Sequence, residues 1–450
     1  MESATAAPGA AAAGEAAEGA AAAGASGAGE VNLVILNQYY APDVASTGHL
    51  LHELATELAR RSFRVKVITS RPSYGPRETW QPCPLREMKD GVAVHRMITT
   101  RLSKDRLIGR VLNSATFVLP LMVRVLLGSR REAVHLYTTN PPFLGIIGAM
   151  VSMLRRHTYV LLLHDAYPQI ATWTGTIRRG GVIDRLWHAM NRLTYRRAAR
   201  TIVLCHAAKR LVCGTYGVDP SLVHVIHNWA DGEVLVPKPK ARSRFAREHG
   251  LVEPFTAMYS GNLGLYYEFD TLLAAAERLR GENFRLVLIG SGGRRAWLAE
   301  QIEARGLSNT LLLPYQPTER LPDSLTACDA SFVTIARGIE GISFPSKLYS
   351  ALAVGRPVLV LSEEKSELRD LVLEHDLGRW FNVGDAEGLA QGIREMMRDP
   401  ARTAEQGRNA RAVFDRLFTR GEAARQYAAV LRLADRASRR RAAQAAAITG

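Results

Sequence analysis

Two glycine-bearing loops carry the first hint of chemistry. Tyr259-Ser-Gly-Asn-Leu-Gly264 and Ile289-Gly-Ser-Gly-Gly293 each follow a short apolar run, and Arg294 and Arg295 open the segment after the second. Glycines such as Gly261 and Gly290 let backbone amides approach a phosphate, and a helix amino terminus adds positive potential. A glycine after a strand also simply makes the turn, so these loops alone leave anion binding and plain turns open. Residues 337–357 add the side chains a sugar diphosphate would need. Glu340 beside Gly341 can accept hydrogen bonds from sugar hydroxyls. Ser343 and Ser346 offer hydroxyls around Pro345, which suits a first helical turn. Lys347 in that turn can set a cation beside a diphosphate. Read alone, the same loop is also a capped helix with solvated charges.

Two further places sit earlier in the chain. Tyr40-Ala-Pro-Asp-Val-Ala-Ser-Thr-Gly48 follows the opening apolar run, and His164-Asp165 ends the run Tyr159-Val-Leu-Leu-Leu163. A histidine at the carboxyl end of a central strand can point into a cleft. It is equally an ordinary polar strand end.

These loops need a scaffold of alternating strands and helices. The apolar runs predict strands at 31–36, 64–69, 134–138, 159–164, 201–204 and 224–227, and a helix over 49–60 with Leu50, Leu51, Leu54 and Leu58 on one face. After a charged stretch the pattern restarts, with strands at 256–259, 285–289, 310–314, 330–335 and 357–361. Such alternation predicts an α/β protein with two facing doubly wound, Rossmann-like domains and ligands in the cleft beyond the strands' carboxyl ends. The expected divisions are a disordered Ala/Gly-rich tail over 1–30, a first domain over 31–235, a second over 236–421, and a final helix with a basic tail over 422–450. That helix is expected to fold back on the first domain.

Composition limits the partners. The 450 residues are 47% apolar and 22% charged, a globular balance, with a formal net charge of +15 that favours anionic ligands. Cys83, Cys205, Cys213 and Cys328 form no close pair, and no metal-ligand spacing is evident. The apolar run 111–128 is broken by Asn113, Pro120 and Arg124, so no membrane span is expected. Basic residues gather around it: Arg96, Arg101, Lys104, Arg106, Arg110, Arg124, Arg130 and Arg131, against Asp105 and Glu132. A second basic set lies between Arg178 and Arg200. Basic residues flanking an apolar helix suit an anionic membrane face or a solvated helix surface. No nucleic-acid module is visible.

Taken together, Tyr259-Ser-Gly-Asn-Leu-Gly264, Val225-Ile-His-Asn-Trp-Ala-Asp231 and Pro345-Ser-Lys-Leu-Tyr-Ser350 with Gly355-Arg-Pro-Val358 resemble GT-B-fold glycosyltransferases of the retaining family-four type. The resemblance spans nearly all of 31–433, and is strongest to the bacterial fucosyl and N-acetylfucosaminyl transferases of colanic-acid, capsule and O-antigen synthesis. It implies transfer of a sugar from a nucleoside diphosphate donor, with retention, onto a lipid-linked or polysaccharide acceptor. It implies catalytic contacts from His164 and Glu340. Donor contacts fall to Gly48, Gly261, Asn262, Gly290, Arg294, Gly341, Ser346 and Lys347. No cofactor besides the donor, no metal and no nucleic acid are expected, and the place implied is the cytoplasmic side of the plasma membrane, peripherally bound.

Three departures from that pattern matter. The family's second glutamate falls at Ser350, and its diphosphate-binding Arg and Lys fall at Asn262 and Tyr267. Lys347 is then the expected replacement cation, with the Gly261 and Gly290 amides beside it. The departures also keep open a non-catalytic sugar-nucleotide-binding subunit. A nucleotide-sugar epimerase on the same architecture is the rival enzyme.

Overall fold

The computed structural model describes residues 30–43, 45–73, 80–102, 107–128, 133–155 and 157–449. The Ala/Gly-rich tail expected over 1–30, save residue 30, and Lys104, Asp105, Arg106, Arg130, Arg131 and Glu132 lie outside the described residues.

The first sheet holds β1 (Val31–Leu36), β2 (Phe63–Ser70), β3 (Arg86–Lys89), β4 (Val92–Met97), β5 (Ala133–Thr138), β6 (Thr158–Leu163), β7 (Arg200–Val203) and β8 (Val223–Val225). Its order is β3-β4-β2-β1-β5-β6-β7-β8, parallel except for the β3–β4 hairpin. The second holds β9 (Phe255–Ser260), β10 (Phe284–Ile289), β11 (Thr310–Leu313), β12 (Ala330–Thr334), β13 (Val358–Ser362) and β14 (Gly378–Asn382). It runs β11-β10-β9-β12-β13-β14, parallel throughout. β5, β6, β12 and β13 are buried along their whole length, which is why they read as unbroken apolar runs with few charges.

Strand order reverses between β1 and β5 in the first sheet and between β9 and β12 in the second. Loops leaving the carboxyl ends of such strands diverge and open a crevice. The two crevices face one another, because the loop after β6 meets the loop after β12.

The last helix, Arg420–Thr449, is longer than the sequence suggests. Ala424, Tyr427, Ala428 and Leu431 complete the core of the first domain alongside Leu33, Leu54 and Val65. The stretch expected as a basic tail continues as helix, and Arg439 there pairs with Asp435 at 2.8 Å.

The helix Leu107–Gly128 has two apolar sides. Phe117, Leu121 and Val125 are buried against the sheet, while Ile108, Leu112, Leu119, Val123 and Leu127 form a second stripe in solvent. By length and composition Val111–Gly128 does reach the measure for a membrane span, with mean hydropathy 1.7, against the sequence expectation. In this fold its buried side is part of the domain core.

Of the basic residues expected to form a surface patch beside it, the three whose side chains are described are engaged within the fold. Arg96 is buried, binding Glu87 at 2.7 Å and the Ala41 carbonyl at 2.8 Å. Arg124 reaches His95 at 2.8 Å, and Arg101 lies over the Trp80 ring at 5.5 Å. The side chains that oppose these cations come from β3, β4 and the preceding loop, which carry no apolar run and were not legible as strands.

Candidate active site

The crevice of the second domain centres on Lys347, at the start of the helix Lys347–Ala353. The loop from β12 carries it back toward β9. Its ammonium stands 3.8 Å from the Tyr267 ring centroid and 5.0 Å from that of Tyr259. Cations are drawn to aromatic faces, but rings do not neutralise them. Among the described residues no carboxylate pairs with Lys347, and burial pushes its pKa down to about 7. Tyr267 occupies the place where the resembling family carries a basic residue. Here the cation arrives from another loop and lies on that tyrosine's face.

Gly261 makes room for it. A Cβ there would stand 2.6 Å from Lys347 Cε, at a φ of +141° that L side chains rarely adopt. Gly290 is tighter still, since its Cβ would fall 1.8 Å from the Gly261 carbonyl oxygen. The expectation that these two amides face the diphosphate is corrected. Gly261 N–H donates to the Ile289 carbonyl at 2.9 Å, and Gly290 N–H to that of Leu313 at 3.1 Å. Their amides belong to extensions of the sheet, and the glycines contribute space.

Asn262 is exposed, and its side chain packs across Gly264 and Gly292. Arg294 is engaged locally: it pairs with Asp270 at 2.9 Å and lies 3.7 Å over the Trp297 ring. Lys347 is therefore the better-placed free cation of the two. Ser346 precedes the helix as an exposed residue with no side-chain capping bond, and the helix starts two residues beyond Pro345. Ser350 turns inward on its own helix, bonding the Lys347 carbonyl at 3.1 Å.

His164 follows β6 directly, held by its amide on Thr139 Oγ1 at 3.2 Å. Its Nε2 is buried without a partner among the described residues, and burial pushes its pKa down to about 4. A neutral imidazole with an unused nitrogen in a cleft is suited to bonding an uncharged hydroxyl. Asp165 crosses to the other domain, accepting from Ser343 Oγ at 2.7 Å, and Ala166 N–H donates to the Ile342 carbonyl at 2.8 Å. Burial raises the Asp165 pKa, partly opposed by the Ser343 bond.

Glu340 lies in the same seam. One oxygen accepts from the Glu367 amide at 3.0 Å, and among the described residues no group donates to the other. Its pKa is raised, first by burial and then by the neighbouring Glu367 and Glu363 carboxylates, while Arg210 opposes. Glu367 in turn reaches the first domain, where its carboxylate accepts from the amides of His206 and Ala207 at 2.6 and 3.2 Å. Gly341 permits this approach, since a Cβ would meet the Ala207 carbonyl at 2.9 Å. Gly48 sits apart from this cluster, near the start of the helix Ser46–Ala59, where the atoms nearest a Cβ are the backbone of Tyr39 and Tyr40.

The structure thus gathers His164, Glu340 and Gly341 along the domain seam, and Gly261, Gly290 and Lys347 in the crevice of the second domain. It also joins Asp165 and Ser343, named in the sequence only as a strand end and a helix-entry hydroxyl, and adds Glu367, which the sequence does not single out. The signal for Glu367 was a Ser-Glu pair opening a helix just after β13, a weak one because that pattern also marks ordinary caps.

Residues 47–229 match the family described as glycosyl transferase 4-like domain, and residues 242–413 match glycosyl transferases group 1. HepE of Anabaena, solved in complex with UDP and glucose, superposes with a TM-score of 0.66 at 20% identity, covering 89% of this chain and 99% of that one. The fold is therefore GT-B, and the two family matches together make the chain a glycosyltransferase. More particularly, its first domain is a glycosyltransferase 4-like domain and its second a group 1 domain. Among curated relatives, WbjE of Pseudomonas aeruginosa, named a probable glycosyltransferase, is 24% identical over 368 residues, 81% of this chain and 89% of that protein. WcaI of Escherichia coli K12, named for colanic acid biosynthesis, is 33% identical over 141 residues, 31% of this chain and 35% of that one.

Proposed function

We propose that this glycosyltransferase moves a sugar from a nucleoside diphosphate donor, with retention, onto a lipid-linked or polysaccharide acceptor in surface-glycan synthesis. The observation that carries this reading is Lys347, a half-buried cation in the second domain's crevice that pairs with no carboxylate among the described residues. An unpaired buried charge is costly unless a ligand completes it. A diphosphate at that point supplies the missing anion, and UDP in HepE and the names of WbjE and WcaI support the same direction. The resemblance to the fucosyl branch favours a fucose-type or N-acetylated deoxy sugar.

In the proposed reaction the bond from the anomeric carbon to the diphosphate breaks while an acceptor hydroxyl bonds to that carbon from the same face. The hydroxyl proton passes to the departing phosphate oxygen. Lys347 offsets the charge that develops on the diphosphate. His164 and the free oxygen of Glu340 hold sugar hydroxyls. Isothermal calorimetry over nucleosides, nucleoside diphosphates and their sugar conjugates tests the donor class, with diphosphates expected to bind well above nucleosides. The anomeric coupling in the product's proton NMR spectrum tests retention. A protein that binds sugar nucleotides but neither transfers nor hydrolyses them would be a binding subunit.

A further inference from the structure

A cavity of about 790 Å³ lies on the side of the second domain away from the cleft. Its wall includes Phe255 at the start of β9, Asn283 just before β10, Asp329 just before β12 and Pro357 just before β13. These are the amino ends of the strands, whereas the crevice around Lys347 lies at their carboxyl ends. The volume suits a small organic molecule, since ligand sites commonly hold several hundred cubic ångströms behind mostly apolar walls. Met396 and Met397 join Phe255 and Pro357 in the apolar lining, and methionine adapts to irregular shapes.

The charges around the cavity leave a positive excess. Lys240 pairs with Asp329, and Arg411 with Asp415 at 3.0 Å. Arg356 has no carboxylate partner among the described residues. Its Nη2 donates to the carbonyls of Lys238 and Thr326, both at 2.7 Å, and its Nε is buried without a partner among them. Arg408 is exposed at the rim and bonds to none of the described residues. Against these two cations stands one exposed carboxylate without an ion pair, Glu253. A guanidinium is a planar fork of donors that suits carboxylate or phosphate oxygens. An apolar body carrying one such anionic group answers both halves of the lining.

The cavity also lies at the hinge. The chain crosses between the domains twice, in the linker before Lys240 and just after the helix Pro400–Leu417. The crossings meet where the Ala230 N–H donates to the Phe418 carbonyl at 3.3 Å. Pro237 and Lys240 of the linker line the cavity, as do Gly407 and Arg411 of the helix. Arg411 donates to the carbonyls of Leu235 at 2.9 Å, Gly232 at 3.3 Å and Ala353 at 2.6 Å. Ala353 ends the helix that Lys347 begins. One guanidinium therefore joins the cavity, the linker and the far end of the helix that carries the crevice cation. The cavity is formed while the Ala166–Ile342 and Asp165–Ser343 bonds close the seam, so an occupant that fits it favours the closed arrangement.

We infer that this cavity is a second, regulatory ligand site, which takes a small anion with an apolar or aromatic body and holds the hinge in its closed setting. The site stands independently of the donor reading, and only its effect on nucleotide affinity rests on that reading.

The test uses the full chain and two fluorescent probes. Anilinonaphthalene sulfonate has the required chemistry, and N-phenylnaphthylamine is the same body without the sulfonate. Titration should give one more sulfonate site in wild type than in A404W, whose indole fills the cavity mouth. R408Q should weaken that site about tenfold, from one charge-assisted contact, and leave the uncharged probe unchanged. Ala404 and Arg408 are exposed, so both variants should keep the wild-type melting temperature. With the sulfonate probe bound, hydrogen exchange should slow across residues 230–243 and 347–356 in wild type and not in A404W. The probe should tighten UDP binding about fivefold in wild type and leave A404W unchanged, a usual size for coupling between sites. Equal stoichiometry in wild type and A404W overturns the site. R408Q binding the sulfonate as wild type does overturns the anionic ligand class. Unchanged exchange, or unchanged UDP affinity in a wild type that binds UDP, overturns the regulatory role. Slowed exchange in a wild type that binds no UDP overturns the donor reading and leaves the site standing.

Discussion

Lys347 has an acid–base consequence that can be measured directly. Its free pKa lies near 7 because burial penalises the charged form. A bound diphosphate favours the charged form and raises that pKa. Above about pH 7 the free protein has lost part of this proton, so binding must take one up. Calorimetry at pH 8 in buffers of different ionisation enthalpy should show the uptake, and Lys347→Ala should abolish it. The same variant should weaken nucleoside diphosphate binding about tenfold to a hundredfold, from a charge-assisted contact of roughly 1.5–3 kcal/mol, and leave nucleoside binding unchanged. Equal losses for both ligands would remove Lys347 from the phosphate site. Glu340→Gln tests a different contact. The amide oxygen can still accept from Glu367, so melting and nucleotide affinity (within about threefold) should hold while transfer falls, from the net worth of one hydrogen bond. Loss of nucleotide binding instead would make Glu340 a support for its loop. The sequence revealed the side-chain types here: Lys347 as the replacement cation, Glu340 and His164 as polar groups near strand ends. It could not reveal that Lys347 lies on Tyr267, or that the Gly261 and Gly290 amides are already used, because both facts depend on strands brought together from distant parts of the chain.

One carboxylate meeting one helix is among the contacts that close the seam between the domains. Glu367 takes the first two amides of the helix His206–Tyr216, satisfying donors that the helix itself cannot. Glu367→Gln retains an acceptor and should preserve the seam. Glu367→Ala leaves the amides to water and should favour an open cleft. Small-angle scattering should then show a larger radius of gyration for the alanine variant and a wild-type value for glutamine. An unchanged radius in both would mean that the Ala166–Ile342 and Asp165–Ser343 bonds hold the seam alone. Buried parallel strands such as β5, β6 and β13 were legible because both faces demand apolar side chains. The β3–β4 hairpin and β14 were not, since their residues are half exposed and mix charge with apolar groups. The last helix is longer than its sequence suggests for a similar reason: the end of Arg420–Thr449 has no apolar face to announce it.

At the scale of the whole molecule, acid should be the weak side. His135 and His157 lie against one another in the first domain, their rings tilted at 42° with centroids 4.0 Å apart. Burial pushes them down to about 4 and about 2, respectively, so the folded state resists protonation. The unfolded chain accepts those protons near pH 6.5. Stability from these groups is therefore complete above that value and is lost as pH falls through it toward 4. Urea midpoints should drop between pH 7 and pH 5, and His157→Gln should flatten the drop. A midpoint insensitive to pH over that range would exclude the histidine pair as the cause.

The returning helix Arg420–Thr449 makes the first domain discontinuous. Its Tyr427 and Leu431 are walls of a core otherwise built before residue 235, each worth about 1.5–3 kcal/mol on burial. During synthesis that core stays open until the last helix leaves the ribosome, after the whole second domain. The early half of the chain must wait for residues made after the whole second domain. A fragment ending at residue 235 should be caught by chaperones or precipitate, and a synthetic 420–449 peptide should rescue it; a soluble, cooperatively melting fragment would show that the core can close without it.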